Sequence, residues 1–431
     1  MRILILLLSV FTFLGLFAPA QMRTDSFLKR VLESGKDSLM QQVLRQKEKY
    51  RIQIIYTRID RDAFNKPSFR NFYFNTGDSL YYYPASTVKL PLALLSLEKL
   101  NRMKVPGVNK YTTLQYDSSW SGQKALYRDS TAQTGLPSIA QFIRKAFLIS
   151  DNDAYNRMYE FVGQQEINRS LHAKGYRLMR IVRQFMRLSE EENRHTNQIR
   201  FLSASGKTIF TELAAFNRDS FDFSRPALLG KGYLNWKDSM VNEPMNFTRH
   251  NNIPLVDLQQ ILQSVLFPLS VPEKQRFRLS RDDYAFLYRY LSQYPSETPY
   301  PKYDTALFND SYAKFYFAYG GRRLPDYIRV FNKVGWAYGC LTDVSYVADF
   351  RHQTEFMLTA TIYANEDEIL NDDKYEFETV GFPFFYQLGQ TIYKYDLYRK
   401  RKYSPDLKAF KLTYEHRDAK DDRPSIKNVD N

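Results

Sequence analysis

The sequence predicts an α+β fold in which one antiparallel sheet is built from both chain ends and flanked by helices. Alternating apolar residues in "RIQIIYTRID" and "FRNFYFN" predict early strands, and three further strand patterns follow residue 325. The residues between, from about 90 to 300, have mostly helical spacing. We therefore expect a sheet from about 50–83 and 326–365, with an all-helical domain inserted between its two halves.

The remaining elements can be assigned from local patterns. Residues 24–49 have the apolar spacing of an amphipathic helix. The turn residues that end at Asp78 are followed by "SLYYY", 79–83, which we interpret as a third strand of an antiparallel meander. A last amphipathic helix is expected at about 375–399. These elements predict a folded domain over 21–400 and a basic, polar tail over 401–431.

The N-terminal residues 1–20 indicate export. They combine Arg2, an unbroken apolar run and a small-x-small end at Ala18 to Ala20, which is typical of a signal peptide and its cleavage site. We expect cleavage before Gln21 and a periplasmic or extracellular protein with no integral membrane association. An uncleaved membrane anchor is the alternative interpretation of the same apolar run.

Composition limits the possible functions. With 431 residues, of which 44% are hydrophobic and 25% charged, the chain can bury a sizeable core. Cys340 is the only cysteine and the five histidines lack metal-binding spacing, so we expect no disulfide, metal or cofactor. The formal net charge of +14 comes with no nucleic-acid motif. We therefore expect a solvated basic face, no nucleic-acid partner and a monomer.

The segment "PASTVKLP" is where we expect chemistry. A proline inside a helix costs about 3 kcal/mol, except in the first turn, where the N–H groups have no partner within the helix. Pro91 therefore predicts a helix that starts at about Ser86 or Thr87, and Pro84 disfavours helix before it. The helix dipole favours negative charge at Ser86, and Lys89 lies on the same face. Ser86 is a candidate nucleophile, with Lys89 taking its proton; N-capping is the alternative role.

The Ser-x-x-Lys pattern alone is not specific, because it occurs at three other places in the chain. Those places lack the context of a helix start, and one of them lies well inside a helix. The three pairs are Ser26/Lys29, Ser96/Lys99 and Ser311/Lys314.

Two further motifs add to the first. Ser150-Asp151-Asn152 lies between two helical patterns, and Lys333-Val334-Gly335 lies on a late strand. Together with Ser86-x-x-Lys89, this ordered set resembles the penicillin-recognising serine hydrolases, which include class A β-lactamases and penicillin-binding D,D-peptidases. The resemblance implies a β-lactamase/transpeptidase-like fold over most of residues 24–400.

The resemblance also implies a role for each matching residue. Ser86 would be acylated, Lys89 would accept or relay its proton, and Ser150 would pass a proton to the leaving nitrogen. Asn152 would hold the substrate amide, and Lys333 would supply positive charge. The strand after Lys333 would also bind substrate through Gly335 and Trp336, where the Trp336 N–H and the Ser86 N–H would form an oxyanion hole.

The chain departs from the family pattern at two places. Val334 stands where the family has a threonine that helps bind the substrate carboxylate, and valine cannot donate that hydrogen bond; Trp336 or Thr342 could compensate. The glutamate that assists deacylation in class A enzymes has no clear match, and a solvated acidic surface or an ordinary loop is the alternative interpretation of each candidate. The candidates are Glu190, Glu191, Glu192 and Glu243.

Three functions follow from these patterns. The first is an exported class A-type β-lactamase that opens β-lactam amides through an acyl-enzyme at Ser86. The second is a D,D-peptidase that acts on peptidoglycan peptides, or another amide or ester hydrolase, with slow deacylation after it reacts with a β-lactam. The third is a non-catalytic cell-wall-binding module. Insertions expected at about 165–240 and 268–325 would reshape the cleft in each case.

Overall fold

The computed structural model describes residues 22–78, 80–118, 120 and 122–428, so the predicted signal peptide lies outside the described residues. In chain order, the helices α1 to α10 of this part of the chain are Ser26–Glu33, Ser38–Arg45, Lys89–Met103, Ile139–Leu148, Asn152–Val162, Gln164–Ala173, Leu255–Leu266, Arg281–Ser292, Phe315–Ala318 and Phe382–Tyr398. The strands β1 to β13 are Gln53–Arg61, Pro67–Phe74, Thr113–Tyr116, Ile199–Leu202, Thr208–Glu212, Leu228–Leu229, Gly232–Leu234, Met240–Val241, Met245–Asn246, Ile328–Ala337, Cys340–Asp349, Thr354–Tyr363 and Ile369–Leu370.

The main sheet joins the two ends of the chain. Its five strands have the order β10-β11-β12-β1-β2, and every neighbouring pair is antiparallel. The two halves meet where β1 pairs with β12, with Ile54 opposite Ala360. The predicted α+β class, with one antiparallel sheet drawn from both chain ends and flanked by helices, is confirmed.

Both faces of the sheet are buried. Side chains of a strand point alternately to opposite faces, and β1 follows this rule. Ile55 and Ile59 join the apolar cluster that includes α3, α4, α5 and α7, while Ile54 and Tyr56 join the cluster that includes α1, α2 and α10. Every residue of β11 and β12 is buried. The sheet is therefore the rigid middle layer that carries β10 to the site.

The predicted third strand at 79–83 is wrong over its described residues, because 80–83 pair with no strand. Hydrogen bonds to side chains hold this segment, instead of the backbone hydrogen bonds of a sheet. The Leu80 carbonyl accepts a hydrogen bond from Gln53 Nε2 at 2.9 Å, and the Tyr81 carbonyl accepts one from Arg51 at 3.0 Å. The Tyr83 N–H donates to Cys340 Sγ at 3.4 Å. The segment thus crosses the end of the sheet and leads into α3.

Other boundaries differ in detail. Residues 24–49 form two helices, because the Asp37 side chain accepts from the Met40 N–H and so caps the start of α2. The inserted region at about 90–300 is not all-helical as predicted, because beside the helices α3 to α8 it holds a small sheet of β3, β4 and β5 and several two-residue strands. The last helix begins later than predicted, at Phe382, after a π-helical turn at Phe377–Gly381.

The segment after residue 400 is packed onto the domain and is not a free tail. Leu407 and Phe410 are buried, and the Phe410 ring centroid lies 4.8 Å from that of Tyr346 and 5.4 Å from that of Phe331 on β10. Further along, Tyr303 forms a β-bridge with Ile426. No helix within the described residues is long and apolar enough to cross a membrane.

Candidate active site

The site begins at the N-terminal turn of α3. Residues Ala85–Val88 form a 3₁₀ turn that leads directly into α3, and the Thr87 N–H donates to the Pro84 carbonyl at 3.0 Å. Pro91 is the third residue of α3, where its missing N–H leaves no helical hydrogen bond unmade. The predicted helix start near Ser86 is therefore confirmed. Ala85 has φ of +43°, a left-handed conformation that non-glycine residues seldom adopt and that clusters at functional sites.

Lys89 lies at the centre of the site. Its side chain is fully buried, and its Nζ is 2.7 Å from Ser86 Oγ and 2.8 Å from Asn152 Oδ1. It also donates to the Ser150 carbonyl, and the Phe185 ring centroid lies 5.1 Å away. One lysine therefore joins the serine of the first motif to the serine and asparagine of the second.

The second motif sits at the start of α5. Asp151 caps this helix, because its side chain accepts from the Ala154 N–H at 2.7 Å. Ser150 has φ of +68°, and this left-handed turn lies between α4 and α5. Asp151 therefore caps the helix. The turn places its two neighbours in the chain, Ser150 and Asn152, against Lys89.

Lys333 reaches the same place from β10. Its Nζ donates to Ser150 Oγ at 2.9 Å and to the Val334 carbonyl at 2.8 Å, and its side chain is buried. Burial, and next the positive charge of Lys89, hold the pKa of Lys333 well below its ordinary value. The Lys333 ammonium group therefore releases its proton more readily than a lysine in water. It lies beside the Ser150 hydroxyl, which can exchange protons.

Gly335 allows β10 to lie directly against the turn that holds Ser86. A Cβ at this position would lie 2.7 Å from the Pro84 carbonyl oxygen and 2.9 Å from the Ser86 nitrogen, both of them backbone atoms. No side chain fits in that space. The glycine of the third motif is therefore required by close backbone approach, and it brings the next residue, Trp336, to the cleft beside Ser86.

Neither Val334 nor Thr342 offers a hydrogen bond to a group in the cleft. Val334 is buried in an apolar cluster. The Thr342 hydroxyl is also buried, and it lies 2.8 Å from the Thr361 hydroxyl. Thr342 is not among the residues that line the cleft, so it does not compensate for Val334.

A cleft of about 310 Å³ opens above Ser86. It is lined by Tyr83, Ala85, Ser86, Ile149, Ser150, Asn152, Phe185, Tyr312, Trp336, Ala337 and Tyr338. None of the three motifs contains Tyr83, Phe185, Tyr312 or Tyr338, which add to the predicted site residues. Tyr83 and Tyr338 flank two of the motifs, and this proximity could have identified them. Phe185 and Tyr312 come from the two predicted insertions and carry no local signal.

The four glutamates proposed for deacylation are not brought to the cleft. Glu190 forms an exposed ion pair with Arg249 at 2.8 Å, and Glu192 accepts hydrogen bonds from Ser189. The other two side chains, Glu191 and Glu243, are exposed. No aspartate or glutamate among the described residues lines the cleft.

Two of the other Ser-x-x-Lys pairs do not assemble a comparable site. Ser96 donates within its own helix to the Leu92 carbonyl, and Lys99 forms an ion pair with Glu212 at 3.0 Å. Lys314 donates to Asn332 on β10. Within the described residues, no group of three or more acidic, histidine or cysteine side chains could hold a metal ion.

The comparisons with known proteins agree with the motifs. Residues 38–216 match the model of the beta-lactamase enzyme family. The predicted resemblance to the serine β-lactamase family is confirmed over this part of the chain, which contains the first two motifs. The match supports a hydrolase of the β-lactamase kind. No curated protein matches the chain.

Solved β-lactamase structures are also similar to this chain. The enzyme from Streptosporangium roseum is 15% identical, with 85% of this chain and 99% of that chain covered at a TM-score of 0.45. The enzyme from Sphaerobacter thermophilus DSM 20745 is 14% identical, with 82% and 95% covered at a TM-score of 0.41.

Proposed function

We propose that this chain is an exported serine hydrolase of the class A β-lactamase type, which opens β-lactam amides through an acyl-enzyme at Ser86. The observation that carries the proposal is the convergence of Ser86, Lys89, Ser150 and Lys333 on one cleft through hydrogen bonds of 2.7 to 3.3 Å. Such a chain of hydroxyls and amines can move a proton from nucleophile to leaving group.

The hydrogen bonds of Lys89 support its role as the base. The Ser150 carbonyl and Asn152 Oδ1 can only accept, whereas the Ser86 hydroxyl can also donate. Once Lys89 has lost a proton, its amine keeps two N–H donors for these two acceptors and gains a lone pair that can take the Ser86 hydroxyl proton. In this state Lys89 takes the proton as Ser86 Oγ attacks the carbonyl carbon.

The leaving nitrogen receives its proton by the same route. As the amide C–N bond breaks, the Ser150 hydroxyl donates its proton to the nitrogen and is reprotonated from Lys333 or Lys89, both within hydrogen-bond distance. The Ser86 and Trp336 N–H groups would hold the oxyanion, and loss of one such donor costs about 3 kcal/mol of transition-state stabilisation. Water then releases the acyl group.

Labelling with a fluorescent penicillin tests this proposal. We expect the wild-type chain to be labelled and Ser86→Ala to be unlabelled while keeping its melting temperature. Ser96→Ala is a matched control, because Ser96 belongs to another Ser-x-x-Lys pair on the same helix. Absence of both label and penicillin hydrolysis with the wild type, or full label on Ser86→Ala, would reject acylation at this serine.

A second candidate function is favoured by the absence of a carboxylate among the described residues that line the cleft. Without a base to activate water, deacylation is slow, as in a D,D-peptidase or another amide or ester hydrolase that β-lactams inhibit. Nitrocefin separates the two functions. A burst of one equivalent followed by a slow phase supports the second candidate, whereas rapid steady turnover without a burst supports the first.

A further inference from the structure

A buried lysine, Lys145, lies behind the second motif. It belongs to the last turn of α4, and its side chain is 11% exposed. Its Nζ lies 3.5 Å from Asp151 Oδ2 and 3.8 Å from Asp129 Oδ2, and both aspartates are buried. Burial lowers the pKa of Lys145, but the charges of Asp151 and Asp129 outweigh this effect and raise the pKa above its ordinary value. Lys145 is therefore a cation between two carboxylates.

Lys145 balances the charge of both aspartates. No other cation among the described residues forms an ion pair with either of them. Asp151 uses Oδ1 to cap α5 and turns Oδ2 toward Lys145, while Asp129 Oδ2 has no hydrogen-bond partner in this part of the chain. Without the lysine, two buried carboxylates would repel each other with no compensation for the water they lose. The capping position of Asp151 thus depends on Lys145.

The turn that Asp151 belongs to also holds the proton donor of the proposed reaction. Ser150 has φ of +68°, and a left-handed residue of this kind persists only where its surroundings fix it. Lys145 contacts the turn a second time, because its carbonyl accepts from the Asp151 N–H at 3.4 Å. In this position Ser150 Oγ lies 2.9 Å from Lys333 Nζ and 3.3 Å from Lys89 Nζ. A shift of the turn would break this chain of proton donors and acceptors.

We propose that Lys145 is a positioning residue for acyl transfer, which holds Asp151 and, through Asp151, the turn that places the Ser150 hydroxyl. The inference rests on the proposed acyl-enzyme at Ser86 and adds a residue that none of the three motifs contains. Lys145 does not line the cleft, so it acts without touching the substrate.

The rate of acylation by benzylpenicillin, followed in single turnovers by mass spectrometry, tests this role. We expect Lys145→Met to be acylated about a hundredfold more slowly, because a displacement of about 1 Å in the reacting groups can cost this factor. Wild-type acylation by Lys145→Met would overturn the inference and leave the acyl-enzyme intact. A wild-type chain with neither adduct nor penicillin hydrolysis would overturn the proposed function itself.

Lys110→Met is the matched control. Lys110 is also a buried lysine paired with two aspartates, Asp282 and Asp283, but these belong to the first turn of α8. None of the three lines the cleft. Lys110→Met should lose stability and still be acylated at the wild-type rate. An equal loss of acylation in Lys110→Met and Lys145→Met would show that lost stability alone slows the reaction, which would overturn the assignment of Lys145.

A double-mutant cycle with Ser150→Ala separates positioning from a general effect on the fold. If Lys145 acts through the Ser150 hydroxyl, its replacement has less to disturb once that hydroxyl is gone. We expect Lys145→Met/Ser150→Ala to be acylated at least about tenfold faster than the product of the two single effects predicts. A rate equal to that product would overturn the inference.

A second pair of variants decides the question if Lys145→Met does not fold. Lys145→Met/Asp129→Asn leaves one uncompensated carboxylate instead of two, while Asp129→Asn alone keeps the ion pair of Lys145 with Asp151. We expect Asp129→Asn to be acylated at close to the wild-type rate and the double variant about a hundredfold more slowly. Equal acylation rates in these two proteins would overturn the role of Lys145.

Discussion

At the scale of single residues, the site depends on which atoms can donate a proton. Lys89 faces two oxygens that only accept and two hydroxyls that can do both, those of Ser86 and Ser150, and Lys333 also faces the Ser150 hydroxyl. The motifs identified these residues from the sequence, because their order and types are specific. The bonds between them depend on helices and strands that are far apart in the chain.

Replacing Lys89 tests the base directly. We expect Lys89→Met to slow acylation by nitrocefin by about a thousandfold, because a positioned general base contributes a factor of this size. The variant also leaves the Ser150 carbonyl and Asn152 without a partner, so its melting temperature should fall. Lys99→Met controls for loss of a buried lysine from the same helix. Equal acylation rates in wild type and Lys89→Met would contradict the proposed role.

His250 makes stability depend on pH. Burial, and next the charge of Arg183, lower the pKa of His250 from 6.5 to about 3. Between these values the unfolded chain binds a proton that the folded chain does not, so the free energy of unfolding decreases as pH falls through this window. Asp257, whose pKa is raised to about 7 mainly by burial, acts in the opposite direction.

The contribution of His250 is isolated by His250→Gln, which still accepts from Arg183 and does not titrate. We expect wild type to lose a few kcal/mol more than the variant between about pH 7 and about pH 4, as measured by urea unfolding. Asp257 is present in both proteins, so its contribution to the pH dependence cancels in the difference between them. Parallel pH profiles would show that His250 does not couple folding to protonation.

At the scale of elements, the decisive contact is between β10 and the turn before α3. Pro84 and Pro91 were enough to predict where the helix starts, because proline restricts the backbone locally. The strand predicted at 79–83, which is not formed at the described residues 80–83, shows the limit of this reasoning. Its tyrosines favour a strand, but its carbonyls bind Arg51 and Gln53, and local pattern does not reveal side-chain partners.

Gly335→Ala tests the contact between β10 and this turn. The new methyl group would displace the backbone of Pro84 and Ser86, so we expect acylation to fall at least about tenfold and stability to fall by about 1–3 kcal/mol. Gly77→Ala is the control, since its added methyl group would come within 3 Å only of Met22 Sδ, which belongs to a flexible side chain. Wild-type acylation by Gly335→Ala would show that this close approach is not required.

At the scale of the whole molecule, distant parts of the chain complete the cleft and support it. Phe185 and Tyr312 come from the two long insertions, and Phe410 comes from the segment after residue 400. The insertions could be located from the spacing of the motifs, but the residues they contribute could not, because nothing local distinguishes them from other aromatic residues. The sequence predicts a polar tail over 401–431 because many charged residues surround Leu407 and Phe410, the two apolar residues that are buried.

Phe410→Ala tests whether this terminal segment supports the domain. The ring packs on Tyr346 and Phe331, and loss of a buried phenylalanine costs about 3–5 kcal/mol. We expect the free energy of unfolding in urea to fall by that amount. Tyr403→Ala, at a more exposed position of the same segment, should change it by less than about 1 kcal/mol. Similar small changes in both variants would contradict a supporting role.

The central claim is that Ser86 forms a covalent acyl-enzyme, and intact-protein mass spectrometry after mixing with benzylpenicillin measures it directly. We expect one penicilloyl adduct per chain that maps to the peptide containing Ser86, and the lifetime of this adduct separates rapid from slow deacylation. An adduct that remains in Ser86→Ala, or a wild-type chain with neither adduct nor penicillin hydrolysis at any time, would contradict the account.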